Sequence, residues 1–242
     1  MGDGTYTINA TQTSFEILEL IRDEGGLTTT EIADEIDLAK SAVHKHLQTL
    51  TDLQYLTRAE YEYSLGLRCY TLGVASRDAH VLFEPAIPAV ENLASVTGEH
   101  VSIVVVENET AYYLYSCTGQ NQQSQTERDG EMVDPYRSTA GHAIVKRSSQ
   151  TAYTPEKTHP DTRISHEQGI TFSIQTGESP QNAIAVPVTG PDEQPIGALE
   201  VTGPARRVSG KRLKEDFAGL VISAGAAIEK RVRKNRSESS SK

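Results

Sequence analysis

Several residue types that mark particular classes of protein are scarce in this chain. Its 242 residues include two cysteines, Cys69 and Cys117, which lie far apart. This spacing excludes a disulfide framework and a cysteine-based zinc site. The longest weakly polar stretch, residues 218–228, is too short to cross a bilayer, and the first ten residues lack the basic cluster and apolar core of a secretory signal. We therefore expect a cytoplasmic protein with no membrane partner.

Sequence signatures of enzymes are also missing. The chain contains no GxSxG, HExxH or Walker motif, and no GxGxxG follows a strand pattern. His44 and His46 are two residues apart and would not share a helix face, so they do not indicate a metal site. The pair His166-Glu167 is interpreted as a solvated loop. We expect no cofactor, no metal and no catalysis, with a small-molecule enzyme as a distant alternative.

Positive charge is limited, and lysine most of all. Lysine supplies nine of the 23 Lys and Arg residues, against 33 Asp and Glu residues, so the net charge is −10. A high net charge keeps a protein soluble. An acidic, lysine-poor surface fits adaptation to high intracellular salt and equally fits an ordinary acidic bacterial or archaeal protein. Composition leaves both interpretations open.

The distribution of charge along the first third of the chain is more informative than the total. Residues 1–75 contain twelve acidic and five basic residues, and nine of the acids lie at or before Asp37. Residues 38–75 therefore carry a net charge of +1. An acidic part followed by a mildly basic one could present the second part to DNA. The small excess predicts weak attraction to phosphates and a greater dependence on base and shape contacts.

Two helices are predicted before residue 37. The first has an apolar stripe at helical spacing and ends at Gly25-Gly26; its stripe consists of Phe15, Ile17, Leu18, Leu20 and Ile21. Thr28 and Glu31 have the spacing of a capping box, in which a hydroxyl and a carboxylate satisfy free amides at the start of the second helix.

The third helix, residues 39–50, is predicted to bury one face and expose the other. Val43, Leu47 and Leu50 recur at i, i+4 and i+7 and define the buried stripe, and His46 projects toward the edge of the core. The residues that point away from this stripe are Ser41, Lys45 and Gln48, flanked by Ala42, His44 and Thr49. The interpretation of the chain as a DNA-binding protein depends on this orientation.

A short hairpin around residues 59–61 and a helix over residues 67–80 follow. This order of elements, with a three-residue break before the third helix, is typical of a winged helix-turn-helix. Hydroxyl, amide and ammonium groups on the third helix can reach base edges or phosphates of a double-stranded DNA operator, and Arg58 lies on the wing. The predicted DNA contacts are Lys40, Ser41, Ala42, His44, Lys45, Gln48, Thr49 and Arg58.

The motifs of this segment resemble those of the IclR-type transcriptional regulators. That family shows an LT-x-x-E-[IL]-A second helix, a KST-x-x-R start of the recognition helix and a wing that ends in Y-x-L-G. The corresponding segments here are Leu27–Ala33, Lys40–Lys45 and Tyr63–Gly66. Lys45 replaces the family's arginine, which keeps the charge but loses bidentate geometry, and Gln54 replaces a glycine.

The second half of the chain resembles the same family. The predicted helices cover residues 85–97 and 211–236, and the predicted strands cover residues 98–107, 110–117, 182–190 and 197–204. The family's P-V turn falls on Pro187-Val188 and its G-P pair on Gly203-Pro204. The alternation implies an α/β, GAF-like sensor domain, in a protein that is α+β overall.

The resemblance also implies an effector pocket where the helix over residues 138–146 begins. Backbone amides and hydroxyls there can hold a carboxylate. The implied effector-binding residues are Ser138, Thr139, Ala140, Ser173, Ala183, Glu200 and Thr202. Glu200 stands where the family has a small hydroxyl residue, Ser173 where it often has an aspartate, and His142 where it has a lysine. Glu200 would repel an acid unless it were protonated or paired. The expected effector is therefore a sugar-like metabolite or an organic acid, with the sugar-like metabolite slightly favoured.

These features predict a DNA-binding transcriptional regulator that a small metabolite controls. Its expected segments are a winged helix-turn-helix over residues 11–68, a linker helix over 69–84, an effector-binding domain over 85–235 and a disordered tail over 236–242. The linker helix is expected to dimerise, so the protein would be a homodimer or tetramer on symmetric half-sites. The alternative is a DNA-binding dimer whose second domain is a scaffold that binds no ligand.

Overall fold

The computed structural model describes residues 8–120, 128–149, 153–154 and 158–239. The chain divides into two units, Met1–Arg77 and Asp78–Lys242, and each unit has a hydrophobic core of its own. Within the described ranges, no helix is long and apolar enough to cross a membrane.

The first unit is a winged helix-turn-helix. Its helices are α1 (Asn9–Glu24), α2 (Thr29–Glu35), α3 (Lys40–Asp52) and α4 (Leu67–Asp78). The wing is an antiparallel sheet in the order β1-β3-β2, formed by β1 (Leu27–Thr28), β2 (Leu56–Ala59) and β3 (Glu62–Leu65). The predicted helices and hairpin are therefore confirmed, and β1 is an addition that the sequence did not predict. It pairs Leu27 with Tyr63 and fastens the wing to the start of α2.

The predicted capping box at the start of α2 is present. The Thr28 amide donates to Glu31 Oε2 at 2.8 Å, and the Glu31 amide donates to Thr28 Oγ1 at 3.3 Å. The first hydrogen bond lowers the pKa of Glu31. Two amides that would otherwise lack partners are satisfied, which fixes where the helix begins.

The core of the first unit confirms the predicted face of α3 and corrects that of α1. Val43, Leu47 and Leu50 are buried, as are Ile17 and Ile21 of α1. The placement of Phe15 in the buried stripe is wrong, since its side chain is 60% exposed. Successive helical residues differ by about 100°, so a face centred on Ile17 and Ile21 leaves Phe15 on the opposite side.

The second unit is built on a seven-stranded sheet in which every pairing between described strands is antiparallel. The strand order is β6-β5-β4-β10-β9-β8-β7. The strands are β4 (His100–Glu107), β5 (Thr110–Thr118), β6 (Met132–Val133), β7 (Thr162–Glu167), β8 (Ile170–Gln175), β9 (Gln181–Thr189) and β10 (Pro195–Pro204). Hairpins join most neighbours, so the chain is an α+β protein, as expected overall.

Helices cover both faces of this sheet. One face packs an apolar layer against α5 (Phe83–Thr97) and α7 (Ala218–Ser239), which follows a π-helical turn at Arg212–Phe217. The other face carries α6 (Thr139–Arg147), which follows a 3₁₀ turn at Pro135–Arg137. Buried polar side chains lie on the α6 side, where Ser102 of β4 stands opposite Glu200 of β10. The candidate effector site lies on this polar face.

Three details differ from the sequence-based expectations. His166-Glu167 lies in strand β7 rather than in a solvated loop, because it pairs with Thr171 and Ile170 of β8. Pro187-Val188 lies inside β9 rather than in a turn; β9 pairs with β8 only as far as Ala185, so the missing proline amide costs no bond to that strand. The helix α7 continues to Ser239, past the predicted boundary at residue 235, and residues 240–242 lie outside the described ranges.

Candidate DNA-binding face and effector cavity

The side of α3 that faces away from the core is exposed and polar. Lys40, Ser41, His44, Lys45, Gln48 and Thr49 are all exposed, and Ala42 is half-buried. The buried stripe on the other side of the helix holds this surface in place without using any of its polar groups. The structure therefore brings seven of the eight predicted DNA contacts onto one helix surface.

Local hydrogen bonds order several of these side chains. Gln48 Nε2 donates to Asp52 Oδ1 at 2.8 Å, and Thr49 Oγ1 donates to the carbonyl oxygen of Lys45 at 2.9 Å. These bonds hold the amide and the hydroxyl along the helix axis. The side chain of Lys45 takes part in neither bond, so its ammonium group can reach as far as the side chain extends.

The eighth predicted contact, Arg58, lies on β2 of the wing and is exposed. Its Nε donates to the carbonyl oxygen of Glu60 at 3.0 Å, and its guanidinium lies 5.3 Å from the centre of the Tyr63 ring. Both contacts direct the cation along the hairpin. The wing therefore presents an ordered positive charge in the same unit as α3.

A groove of about 730 Å³ runs between α1, α3 and α4 of this unit. Lys45, His46 and Thr49 lie along its α3 wall, and Phe15 and Leu18 line its α1 wall. The groove thus follows one flank of the exposed α3 surface. His44 and Gln48 are not among its lining residues and belong to the other flank.

In the second unit, a cavity of about 70 Å³ lies where α6 meets the polar face of the sheet. Six of the seven predicted effector residues line it, namely Ser138, Thr139, Ser173, Ala183, Glu200 and Thr202. All seven are buried. Ala140 is not a lining residue, but its backbone amide binds the side chain of Glu200. The structure therefore brings the predicted set together.

The cavity is formed around the start of α6. Ser138 is the residue before the helix, and its Oγ accepts from the Gly141 amide at 2.9 Å. The 3₁₀ turn before it begins in the same way, since Asp134 Oδ1 accepts from the Tyr136 amide at 2.8 Å. A Cβ at Gly141 would lie 2.2 Å from the Pro135 carbonyl oxygen, so only glycine fits between these two turns. The amides of the first turn of α6 are held toward the sheet.

Glu200 is the residue that joins the sheet to α6. Its Oε2 accepts from the Ala140 amide at 2.8 Å, and its Oε1 accepts from Thr202 Oγ1 at 3.1 Å and from Tyr113 Oη at 3.4 Å. Burial raises the pKa of Tyr113, and the charge of Glu200 raises it further, so the phenol keeps its proton and acts as a donor. The buried carboxylate is thus surrounded by donors.

Arg128 supplies the nearest positive charge. Its guanidinium lies 3.6 Å from the centre of the Tyr113 ring, and its Nη1 lies 4.0 Å from Glu200 Oε1. It also pairs with Glu131, whose pKa this hydrogen bond lowers. The cavity therefore contains an ion pair that belongs to the protein itself.

Two histidines and one tyrosine form a hydrogen-bond relay that begins at His142 in the cavity wall. His142 Nε2 lies 3.0 Å from the carbonyl oxygen of Tyr136, which can only accept, so Nδ1 of the neutral ring accepts from Tyr153 Oη at 3.0 Å. Tyr153 Oη then accepts from His166 Nε2 at 2.8 Å, and His166 Nδ1 accepts from Thr171 Oγ1 at 2.9 Å. Burial lowers the pKa of both histidines, which favours these neutral forms.

A second polar cluster lies on β4 and β5. His100 Nδ1 is 3.0 Å from Thr118 Oγ1, and its Nε2 is 3.1 Å from Ser102 Oγ, which in turn is 3.1 Å from Ser116 Oγ. Burial lowers the pKa of His100 to about 4, and the charge of Arg128 acts in the same direction. The sequence contains no motif that marks this cluster.

Sequence reasoning missed several residues that line the cavity. Tyr113, Arg128, Tyr136 and Gln181 were not predicted, and His142 was noted only as a departure from the family. These five residues come from five separate segments of the chain, and no spacing in the sequence relates them. A tyrosine in the alternating pattern of β5 offered a weak signal for Tyr113. Among the described residues, no group of three or more His, Cys, Asp or Glu side chains could hold a metal ion.

Comparison with known proteins agrees with this architecture. Residues 11–60 match the model of the IclR helix-turn-helix domain. The chain is 24% identical to the HTH-type transcriptional regulator KdgR of Escherichia coli, over 87% of this chain and 88% of that one. An IclR family transcriptional regulator from Brucella abortus has a TM-score of 0.71 at 18% identity, covering 96% of this chain and 95% of its own.

A further solved structure is an IclR homologue from Microbacterium hydrocarbonoxydans complexed with 4-hydroxybenzoate. Its TM-score is 0.67 at 18% identity, and the match covers 93% of this chain and 98% of that one. The fold and the exposed face of α3 define a helix-turn-helix DNA-binding regulator of transcription. The matched domain and the relatives that cover most of the chain support an IclR-type transcriptional regulator.

Proposed function

We propose that this regulator binds a double-stranded operator through α3 and the wing, and that a small metabolite bound in the cavity at Glu200 controls its affinity. In this proposal residues 11–68 form the DNA-binding domain, residues 69–84 the linker and residues 85–235 the effector-binding domain. The observation that carries the DNA-binding part is the exposed polar surface of α3 opposite its buried stripe.

The proposed base and phosphate contacts are the eight predicted residues. Lys40 lies in the first turn of α3, where free amides also attract phosphate. Gln48 and Ser41 offer groups that can hydrogen-bond base edges in a major groove, and Arg58 on the wing can reach backbone or minor groove. With three cations in this set, neutral hydrogen-bonding groups carry much of the recognition.

The proposed oligomer is a homodimer formed through α4. The apolar side chains of this helix are strongly exposed within the described chain: Leu67 is 83% exposed, Tyr70 68% and Leu72 57%. A monomer gains nothing from exposing such side chains, and large exposed apolar patches mark interaction surfaces. A two-fold dimer would place two copies of α3 on symmetric half-sites.

The proposed effector is a small metabolite. A cavity on which several polar groups converge is a candidate ligand site, and the solved structure of a protein of the same fold contains 4-hydroxybenzoate. An effector that binds one dimer geometry better than another shifts the population toward it and changes operator affinity.

Two measurements test the proposal. Operator fragments selected from random-sequence DNA are footprinted with the full chain, and protection of two symmetric half-sites is expected. A panel of sugars, polyols and organic acids is then screened for a rise in melting temperature, since a ligand stabilises the state it binds. Absence of protection on any selected fragment contradicts the DNA-binding part.

The same data separate the alternatives. If DNA is protected but no compound in the panel shifts melting or operator affinity, the second domain is a scaffold. Turnover of a panel compound by the purified chain, without DNA protection, would favour an enzyme.

A further inference from the structure

The carboxylate of Glu200 fills the place where the start of α6 would receive an anion. Ala140 is the second residue of α6, and its amide has no acceptor within the helix. Glu200 Oε2 accepts from this amide at 2.8 Å, while Ser138 Oγ takes the Gly141 amide at 2.9 Å. The Ala140 and Gly141 amides of the first turn are therefore satisfied from within the chain.

The rest of the surroundings completes a carboxylate-binding arrangement. Hydroxyls of Thr202 and Tyr113 donate to Glu200 Oε1, and the Arg128 guanidinium lies 4.0 Å from the same oxygen. A helix amide, two hydroxyls and a guanidinium are the partners that a free carboxylate would need. Glu200 is only 3% exposed, so its charge is held inside the cavity.

One further lining group points to the chemistry of a bound molecule. Gln181 Oε1 is buried and has no hydrogen-bond partner among the described residues. An amide oxygen can only accept, so its natural partner is a hydroxyl or N–H donor. A carboxylate offers no such donor, whereas a polyol or sugar offers several.

We propose that Glu200 is a specificity-determining residue, which acts as a resident carboxylate and excludes acidic effectors in favour of neutral, hydroxyl-bearing ones. A second carboxylate beside Glu200 would face a like charge at short range in a buried place and would find the Ala140 amide already occupied. Hydroxyl groups can instead donate to Glu200 and to Gln181. This inference rests on the proposed function of the cavity as the effector site.

The test is chemical rescue with formate, followed by melting of the full chain. Glu200→Ala removes the carboxylate and leaves the Ala140 amide, the two hydroxyls and Arg128 in place. Formate at ten times its Kd is expected to raise the Tm of E200A by about 4 °C relative to equal chloride. The Tm of wild type is expected to be the same in both salts.

Two variants serve as controls. Glu131→Ala removes the exposed carboxylate that binds the same Arg128, but it frees no helix amide, so formate should not raise its Tm. Glu200→Gln removes the charge while an amide oxygen still fills the place, so it should also show no rise. If E200A does not fold, Glu200→Ser replaces it under the same criteria.

The outcomes are distinct. A Tm rise confined to E200A or E200S supports the inference. Equal Tm in formate and chloride for these variants, or an equal rise for wild type, overturns it. None of these measurements uses DNA, so they remain decisive even if the cavity does not control operator binding.

Operator release addresses the class of effector. Sugars and polyols are compared with the acids derived from them, and each acid is expected to be at least tenfold weaker than its neutral partner on wild type. A stronger acid overturns the inference. If no member releases the operator, the proposed function of the cavity fails, and the role of Glu200 is decided by the formate result.

Discussion

Ser14 Oγ lies 2.8 Å from His46 Nδ1, so a polar bond ties α1 to α3 on the flank of the predicted recognition helix. His46 is half-buried by this contact, whereas its neighbour Lys45 is exposed. Two adjacent basic-type residues therefore differ in role: His46 contributes to the packing of the helix and Lys45 faces outward.

Lys45→Ala is expected to weaken operator binding about tenfold, because loss of one charged contact to DNA costs about 1–3 kcal/mol. The Tm should stay nearly unchanged, since the side chain is exposed. Lys211→Ala is the matched control, because Lys211 is a similarly exposed lysine (78%) in the other unit. Fluorescence anisotropy at fixed salt measures the operator affinity of both variants, and thermal melting measures their Tm. Operator affinities of K45A and wild type that agree within error remove Lys45 from the contact set.

The groove beside Lys45 requires a second comparison. Gln48→Ala changes the opposite flank of α3 and is also expected to weaken operator binding. If K45A shifts the monomer–dimer equilibrium in sedimentation and Q48A does not, then Lys45 acts at the subunit contact instead of at DNA.

The dependence of operator affinity on salt should be shallow. Lys40, Lys45 and Arg58 are the cations of the proposed face, which gives six in a dimer. Each phosphate contact contributes about −0.9 to the slope of log K against log salt, so the slope should be no steeper than about −5. A mobility-shift titration measures it. A slope near −10 would contradict the small number of contacts and the idea of adaptation to high salt.

Stability should fall as pH decreases from about 6.5 to 4. Burial lowers the pKa of His100 from 6.5 to about 4, so the folded state binds fewer protons than the unfolded chain within this window. The stabilisation is present above the unfolded pKa and is lost as pH falls through the folded one, by about 3 kcal/mol in total. Burial lowers the pKa of His142 and His166 in the same direction.

Urea unfolding at pH 7, 5.5 and 4 measures this loss. His100→Gln removes the titrating group and should give a flatter dependence of the free energy of unfolding on pH. An H100Q profile parallel to that of wild type would show that His100 does not contribute to it.

Tyr153→Phe should break the relay between His142 and His166. Without the Tyr153 hydroxyl, His142 Nδ1 loses its donor and His166 Nε2 loses its acceptor. An unsatisfied buried group costs about 1–3 kcal/mol, so the free energy of unfolding should fall by at least about 1 kcal/mol. Side-chain ¹⁵N spectra should place the proton of both neutral rings on Nε2 in wild type. Tyr61→Phe, which removes a hydroxyl from a residue that is 75% exposed, is the control. Equal stability of Y153F and Y61F would refute the relay.

The helix-turn-helix could be predicted because its signals are local. The spacing of Val43, Leu47 and Leu50 specifies which side of α3 is buried, and the pair Thr28 and Glu31 specifies where α2 begins. Phe15 was misplaced because an apolar residue carries no information on which of two sides of its helix meets the core. Strand β1 was missed because two residues are too few for an alternating pattern.

The sequence by itself determined the orientation of α3, since periodicity within one helix decides which side chains share a face. It also supplied, through resemblance, six residues that the structure places around one cavity. Only the tertiary structure decided that Glu200 meets the amide of Ala140, 60 residues earlier, and that Arg128 stands beside Glu200. Those groups lie on different elements, and the register of β10 with its neighbours and the packing of α6, which no local pattern encodes, bring them together.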